Sequence, residues 1–161
     1  MSGTLRSPTR LLLVAATILS LTALALGFAP SVLASSARSE DRSGHLQVTK
    51  DCSQNQGLAD QFCTITSANL SEIKVGSRIV YLEAVPAPYT TLDSDIVLVV
   101  GTGNFALGHC VLPLPAGPGK CTLSGGRGTF SHFKASVVVT QDSTNPSVYF
   151  WNGTYSFGGD D

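Results

Sequence analysis

Hydrophobic and polar positions divide this chain into two unlike parts. Residues 11–28 form an almost unbroken apolar run, whereas the chain after residue 45 breaks into short runs rich in Val, Ile, Thr, Phe and Tyr. Gly, Pro, Asn, Asp and Ser fill the gaps between those runs. Runs of this make-up predict strands and the gaps predict turns. They fall at 46–50, 61–70, 78–85, 95–100, 105–112, 121–123, 130–140 and 147–157. After residue 45 no window carries a long stripe of helical period, and 67–75 has room for one helical turn at most. Many short strands without helical crossovers predict an all-β, antiparallel sandwich or barrel.

Alternation assigns faces to these strands. In the last run Tyr149, Trp151, Gly153, Tyr155 and Phe157 share one side. In 130–140, Phe133, Ala135, Val137 and Val139 oppose His132, Lys134 and Ser136. Two runs are apolar on both faces. Ile79, Tyr81, Glu83 and Val85 lie opposite Val80, Leu82 and Ala84, and Ile96, Leu98 and Val100 lie opposite Asp95, Val97 and Val99. Such strands need a cover on their second face, and a partner subunit would supply one.

The apolar run at 11–28 follows Arg6 and Arg10 and precedes Val32-Leu33-Ala34. A positive start, an apolar middle and a small-x-small end describe a secretory signal peptide, with the cut after Ala34 or, three residues later, after Ala37. A retained anchor is the other reading, but Thr17, Ser20, Thr22 and Gly27 dilute the run and no basic cluster follows it. The domain plan is therefore a signal peptide at 1–34, a flexible polar tail at 35–44 and a β-domain at 45–161. Export places the protein outside the cell, or in a periplasmic or cell-envelope space, with no stable membrane insertion after cleavage.

The cysteines are Cys52, Cys63, Cys110 and Cys121, two pairs with ten residues inside each. An even count in an oxidising compartment predicts disulfides. The turn residues Pro113, Pro115, Gly117, Pro118 and Gly119 favour Cys52–Cys63 with Cys110–Cys121 among the three possible pairings. Zinc ligands favour closer spacing, so no metal is expected. The chain has 161 residues, with 10 Lys+Arg and 11 Asp+Glu. Cleavage after residue 34 removes two arginines and leaves a net charge of −3. That balance excludes a phosphate-neutralising nucleic-acid binder.

Gly108-His109-Cys110, the stretch Cys121-Thr122-Leu123-Ser124-Gly125-Gly126-Arg127-Gly128-Thr129-Phe130 and the closing Trp151-Asn152-Gly153-Thr154-Tyr155-Ser156-Phe157 resemble the allene oxide cyclase/dirigent superfamily. They resemble in particular its secreted, cysteine-containing bacterial relatives. Arg127 stands where the family's Gly-Gly-Thr-Gly turn has Thr. The resemblance implies an eight-stranded antiparallel β-barrel, often trimeric, whose cavity takes small apolar molecules. Plant members act on oxidised fatty acids or steer phenoxy-radical coupling. The glycines have their own reason, since Gly125, Gly126 and Gly128 let the chain turn sharply at a barrel rim.

Candidate chemistry is sparse. The segment Gly101-Thr102-Gly103-Asn104-Phe105-Ala106 fits a dinucleotide fingerprint in letters only. A strand follows where a helix is needed, so it reads as a hairpin turn. No nucleophile elbow is present. No cofactor is called for. Glu83 shares its face with Ile79, Tyr81 and Val85. Lining a cavity, it would be desolvated and suited to general acid or base work, with Tyr81 orienting a substrate oxygen; near the strand end it would point to water. His109 is either a proton carrier or a hydrogen-bonded rim histidine. Asp93 and Asp95 read as a solvated turn. Catalytic candidates are thus Glu83 and His109, and ligand-binding candidates Tyr81, Glu83, His109 and Trp151. The expected function is binding of a small hydrophobic molecule in the barrel, by a trimer, dimer or monomer. The alternatives are a cyclase or isomerase resembling allene oxide cyclase and a dirigent-like protein that shapes another enzyme's product.

Overall fold

A computed structural model describes residues 42–115 and 117–158. The expected signal peptide and its two cut sites lie outside the described residues. The strands are β1 (Arg42–Asp51), β2 (Gln61–Ala68), β3 (Arg78–Tyr81), β4 (Thr91–Gly101), β5 (Asn104–Pro113), β6 (Gly119–Arg127), β7 (Phe133–Gln141) and β8 (Val148–Phe157). They pair in sequence order, each antiparallel to the next, and β8 pairs with β1 to close a barrel. Eight strands were expected and eight are present, and the described residues hold no α-helix.

Strand boundaries differ where turn chemistry overrides alternation. β1 starts at Arg42, so the end of the expected polar tail is ladder: Arg42, Ser43 and Gly44 pair with Phe157, Ser156 and Tyr155. β3 ends at Tyr81, well short of residue 85, because the chain turns away before Pro86 and Pro88. β4 starts at Thr91, so Asp93 and Asp95 lie in a strand and not in a turn. Phe130 is not in a strand. Gly125 and Gly128, with φ of 84° and 65°, bend the chain into one 3₁₀ turn over Gly128–Phe130, which drives the Phe130 ring inward.

Inward positions follow period 2. Leu46, Val48, Ile65, Ile79, Ile96, Leu98, Leu123, Val137 and Val139 fill the barrel, all of them buried. Phe130, Phe133, Tyr155 and Phe157 pack at one end, with ring centroids 4.9 Å apart for Phe133–Phe157 and 5.2 Å for Phe130–Phe133. Leu70 and Ile73, from the β2–β3 connection at that end, join the same core. This half is solid, as eight-stranded barrels permit. The opposite end, where the β1–β2, β3–β4, β5–β6 and β7–β8 connections gather, stays open. Both disulfides sit near it, Cys52–Cys63 and Cys110–Cys121, in the expected pairing and with no cysteine left over.

Gly153 marks the tightest approach in the seam. It pairs with Leu46 on β1 and Val137 on β7, and a Cβ there would collide with the Ser136 carbonyl and the Val137 backbone. Gly153→Ala is expected to lower stability by about 1–3 kcal/mol through overpacking, read as a drop in the denaturant midpoint with the slope unchanged.

Candidate functional site

The open end holds a cavity of about 450 Å³. Its walls come from strand ends, including Lys50, Cys63, Tyr81, Leu92, Leu112 and Tyr149. Leu92 and Leu112 face each other across β4 and β5. Cys52, Asn55, Gln56 and Ser147 frame the mouth with Tyr89, which is itself mostly exposed. No Asp, Glu, His or Arg lines the cavity among the described residues.

Lys50 is the residue that sequence reasoning missed. On β1 the inward positions are Leu46, Val48 and Lys50, so alternation alone turns this lysine into the barrel. It is 2% exposed. Its Nζ donates a hydrogen bond to the Tyr81 hydroxyl at 2.5 Å. Three aromatic rings surround it, with centroids at 4.9 Å for Trp151, 5.2 Å for Tyr81 and 5.8 Å for Tyr149. No carboxylate forms an ion pair with it among the described residues. Burial therefore pulls its ammonium down from the usual 10.5 to about 7. Burial in the first place, and then the Tyr149 phenol, raises Tyr81 above the ordinary phenol range. Burial also raises Tyr149, against the hydrogen bond that Gln141 donates to its hydroxyl. The site thus offers an amine that loses its proton readily and a neutral phenol side by side in a largely apolar cavity.

The four residues expected to bind or act are not brought together. Tyr81 lines the cavity beside Lys50. Trp151 is one inward position deeper on β8 than Tyr149, opposite Val48; its ring lies against Lys50 and its Nε1 has no hydrogen-bond partner. Glu83 is not in the cavity. The strand ends before it, and its exposed side chain accepts from the Asp95 backbone N–H at 2.6 Å and from the Ser94 hydroxyl at 2.9 Å. It stitches the chain leaving β3 to β4 through the buried Ser94 and the backbone of Asp95. His109 is on the outer surface too. Directly opposite Asp95 in the β4–β5 ladder, its ring is 2.9 Å from the Asp95 carboxylate and 3.0 Å from that of Asp93. The hydrogen bond to Asp95 leads the causes that raise its value above 6.5, and the Asp93 charge adds to it. Neither Glu83 nor His109 lines the cavity.

The segment at 101–106 is the expected hairpin, with Gly101 and Asn104 paired across Thr102 and Gly103. Comparison with protein-family models, curated proteins and solved structures finds no match for this chain. The site must be read from its own chemistry.

Two outcomes follow from the charges. Because the folded value of Lys50 lies below its unfolded value, the unfolded chain holds the extra proton between about pH 7 and 10.5, and stability rises with pH there. The raised Tyr81 value acts the other way only once pH passes the ordinary phenol value near 10. Denaturant midpoints of the wild type should climb from about pH 7 to about pH 9.5, with a slope of up to ~1.4 kcal/mol per pH unit from this group; Lys50→Met should flatten that climb. On the exterior, the raised His109 value gives a small contribution that is present below pH 6.5 and fades as pH rises through the folded value. Proton NMR of the His109 ring should show a titration midpoint above 6.5, lowered further by Asp95→Asn than by Asp93→Asn.

Proposed function

We propose that this protein is exported and binds one small, mostly apolar molecule in the open end of the barrel, holding a single polar group of that molecule on Lys50 and Tyr81. The observation that carries the reading is the pairing of an apolar cavity with one buried, hydrogen-bonded amine. Ligand cavities are built this way: large apolar walls and a few placed polar groups. A buried lysine without a counter-ion costs stability, and a stability-only core would have an apolar side chain at position 50. The two disulfides support an oxidising compartment, which agrees with the leader-like pattern at 1–34. A closed eight-stranded antiparallel barrel is the fold that kinship with the allene oxide cyclase/dirigent superfamily would require. A cyclase or dirigent-like role in that reading would run through Lys50 and Tyr81 and not through Glu83 or His109.

The test is binding of a neutral apolar dye, Nile red, to the secreted protein. A saturable, one-to-one rise in fluorescence that decanol competes away is expected. Leu112→Trp, which fills the cavity from its wall, should weaken binding about tenfold or more, a loss of at least ~1.4 kcal/mol. Val138→Trp, on the exposed outer face of β7, should leave it unchanged. Equal binding by the wild type and Leu112→Trp would sink the reading.

A further inference from the structure

We propose that Lys50 captures the carbonyl carbon of a small aldehyde or ketone as an imine inside the barrel, with Tyr81 relaying the proton. This rests on the binding role above and narrows its ligand to a carbonyl compound. Three features of the geometry carry it. The first is that Lys50 lines the cavity at its buried end, where a bound molecule brings its polar group. Secondly, the amine donates an N–H to the Tyr81 oxygen, which leaves the nitrogen lone pair unused and the phenol O–H free to donate elsewhere. Finally, no carboxylate lines the cavity among the described residues to hold the amine as a permanent ammonium. Burial brings the amine down to about 7, so about half of it is unprotonated, and nucleophilic, at neutral pH.

The step balances without any oxidant or reductant. The Nζ lone pair attacks the carbonyl carbon, a C–N bond forms, and the C=O π pair moves to oxygen. That oxygen takes the Tyr81 phenol proton, and the phenolate recovers a proton from the new ammonium. The carbinolamine oxygen then takes a second proton from Tyr81 and leaves as water, the nitrogen lone pair closes the C=N bond, and the phenolate takes the remaining N–H proton, so that a neutral imine and a neutral phenol remain. The titratable groups facing Lys50 are the phenols of Tyr81 on β3 and Tyr149 on β8, with Tyr89 at the mouth. Burial raises both Tyr81 and Tyr149, so these two phenols are neutral over the range of the test.

The experiment treats the secreted protein with cinnamaldehyde and then with cyanoborohydride, which reduces only an imine already formed. Peptide mapping should find the adduct at Lys50 ahead of the exposed Lys74, Lys120 and Lys134. The rate of labelling at Lys50 should rise through about pH 7. Decanol should protect it, Lys50→Met should remove it, and Tyr81→Phe should slow it about tenfold or more. Adducts spread evenly over the exposed lysines, with Nile red bound and displaced normally, would overturn imine capture and leave the binding role standing. Even labelling together with no dye binding would overturn both.

Discussion

The pairing of the first strand with the last is the contact on which the rest depends. Ten residue pairs, from Arg42 opposite Phe157 to Asp51 opposite Val148, seal what would otherwise be two free sheet edges. The same ladder builds the site. It sets Val48 against Trp151 and Lys50 against Tyr149, so the lysine acquires two of its three aromatic neighbours only when the barrel closes. Gly153 sits in this strand because its neighbours on β7 come too close for a side chain. Fold and site are thus two results of one register, and a slip of one residue would turn Lys50 out to water.

Lys50 is the point where stability and chemistry pull apart. Removing an ammonium from water costs several kcal/mol. Each ring near Nζ returns ~0.5–2 kcal/mol, and a hydrogen bond to a neutral phenol adds ~1 kcal/mol. An acidic partner would tip the balance toward the charged form, and none lines the cavity among the described residues. The proton is therefore held less tightly, and burial brings the group down to about 7. Asp93 and Asp95 are spent on His109 on the outer face, where solvent screens the pairs and leaves them little weight.

Much of this was legible in the sequence, for reasons that also explain what was not. Eight β-rich runs separated by Pro and Gly turns gave eight strands, because turn residues act locally. The equal cysteine spacing and the Pro/Gly turn at 113–119 gave the disulfides. Alternation placed Tyr149, Trp151 and Tyr155 on the inner side. It failed at Glu83, where the same period was carried past Tyr81 into a segment already marked as a turn by Pro86 and Pro88. Lys50 was missed for the opposite reason. The period Leu46, Val48, Lys50 pointed inward, but lysine ends so many exposed strands that the last step was not taken. His109 has apolar residues on both sides of it, at Leu107 and Val111, yet these too face outward and stay exposed, so an apolar face does not by itself mean the interior.

The two halves of the barrel are held in different ways, and this explains where the disulfides lie. The end closed by Phe130, Phe133 and Phe157 is stabilised by packed rings. The end that keeps a cavity gives up that packing, since every unfilled volume forfeits contacts. Cys52–Cys63 ties β2 to the residue just after β1, and Cys110–Cys121 joins residues directly opposite each other on β5 and β6, so both act at the open half. Each closes an eleven-residue separation and contributes ~3 kcal/mol in the chain-entropy account without occupying the hollow. Cross-links of this kind keep the walls in place before a ligand arrives, so less ordering is left to oppose binding. An open pocket around an amine with no carboxylate partner among the described residues is therefore compatible with a stable small domain because covalent closure substitutes there for the apolar filling used at the other end.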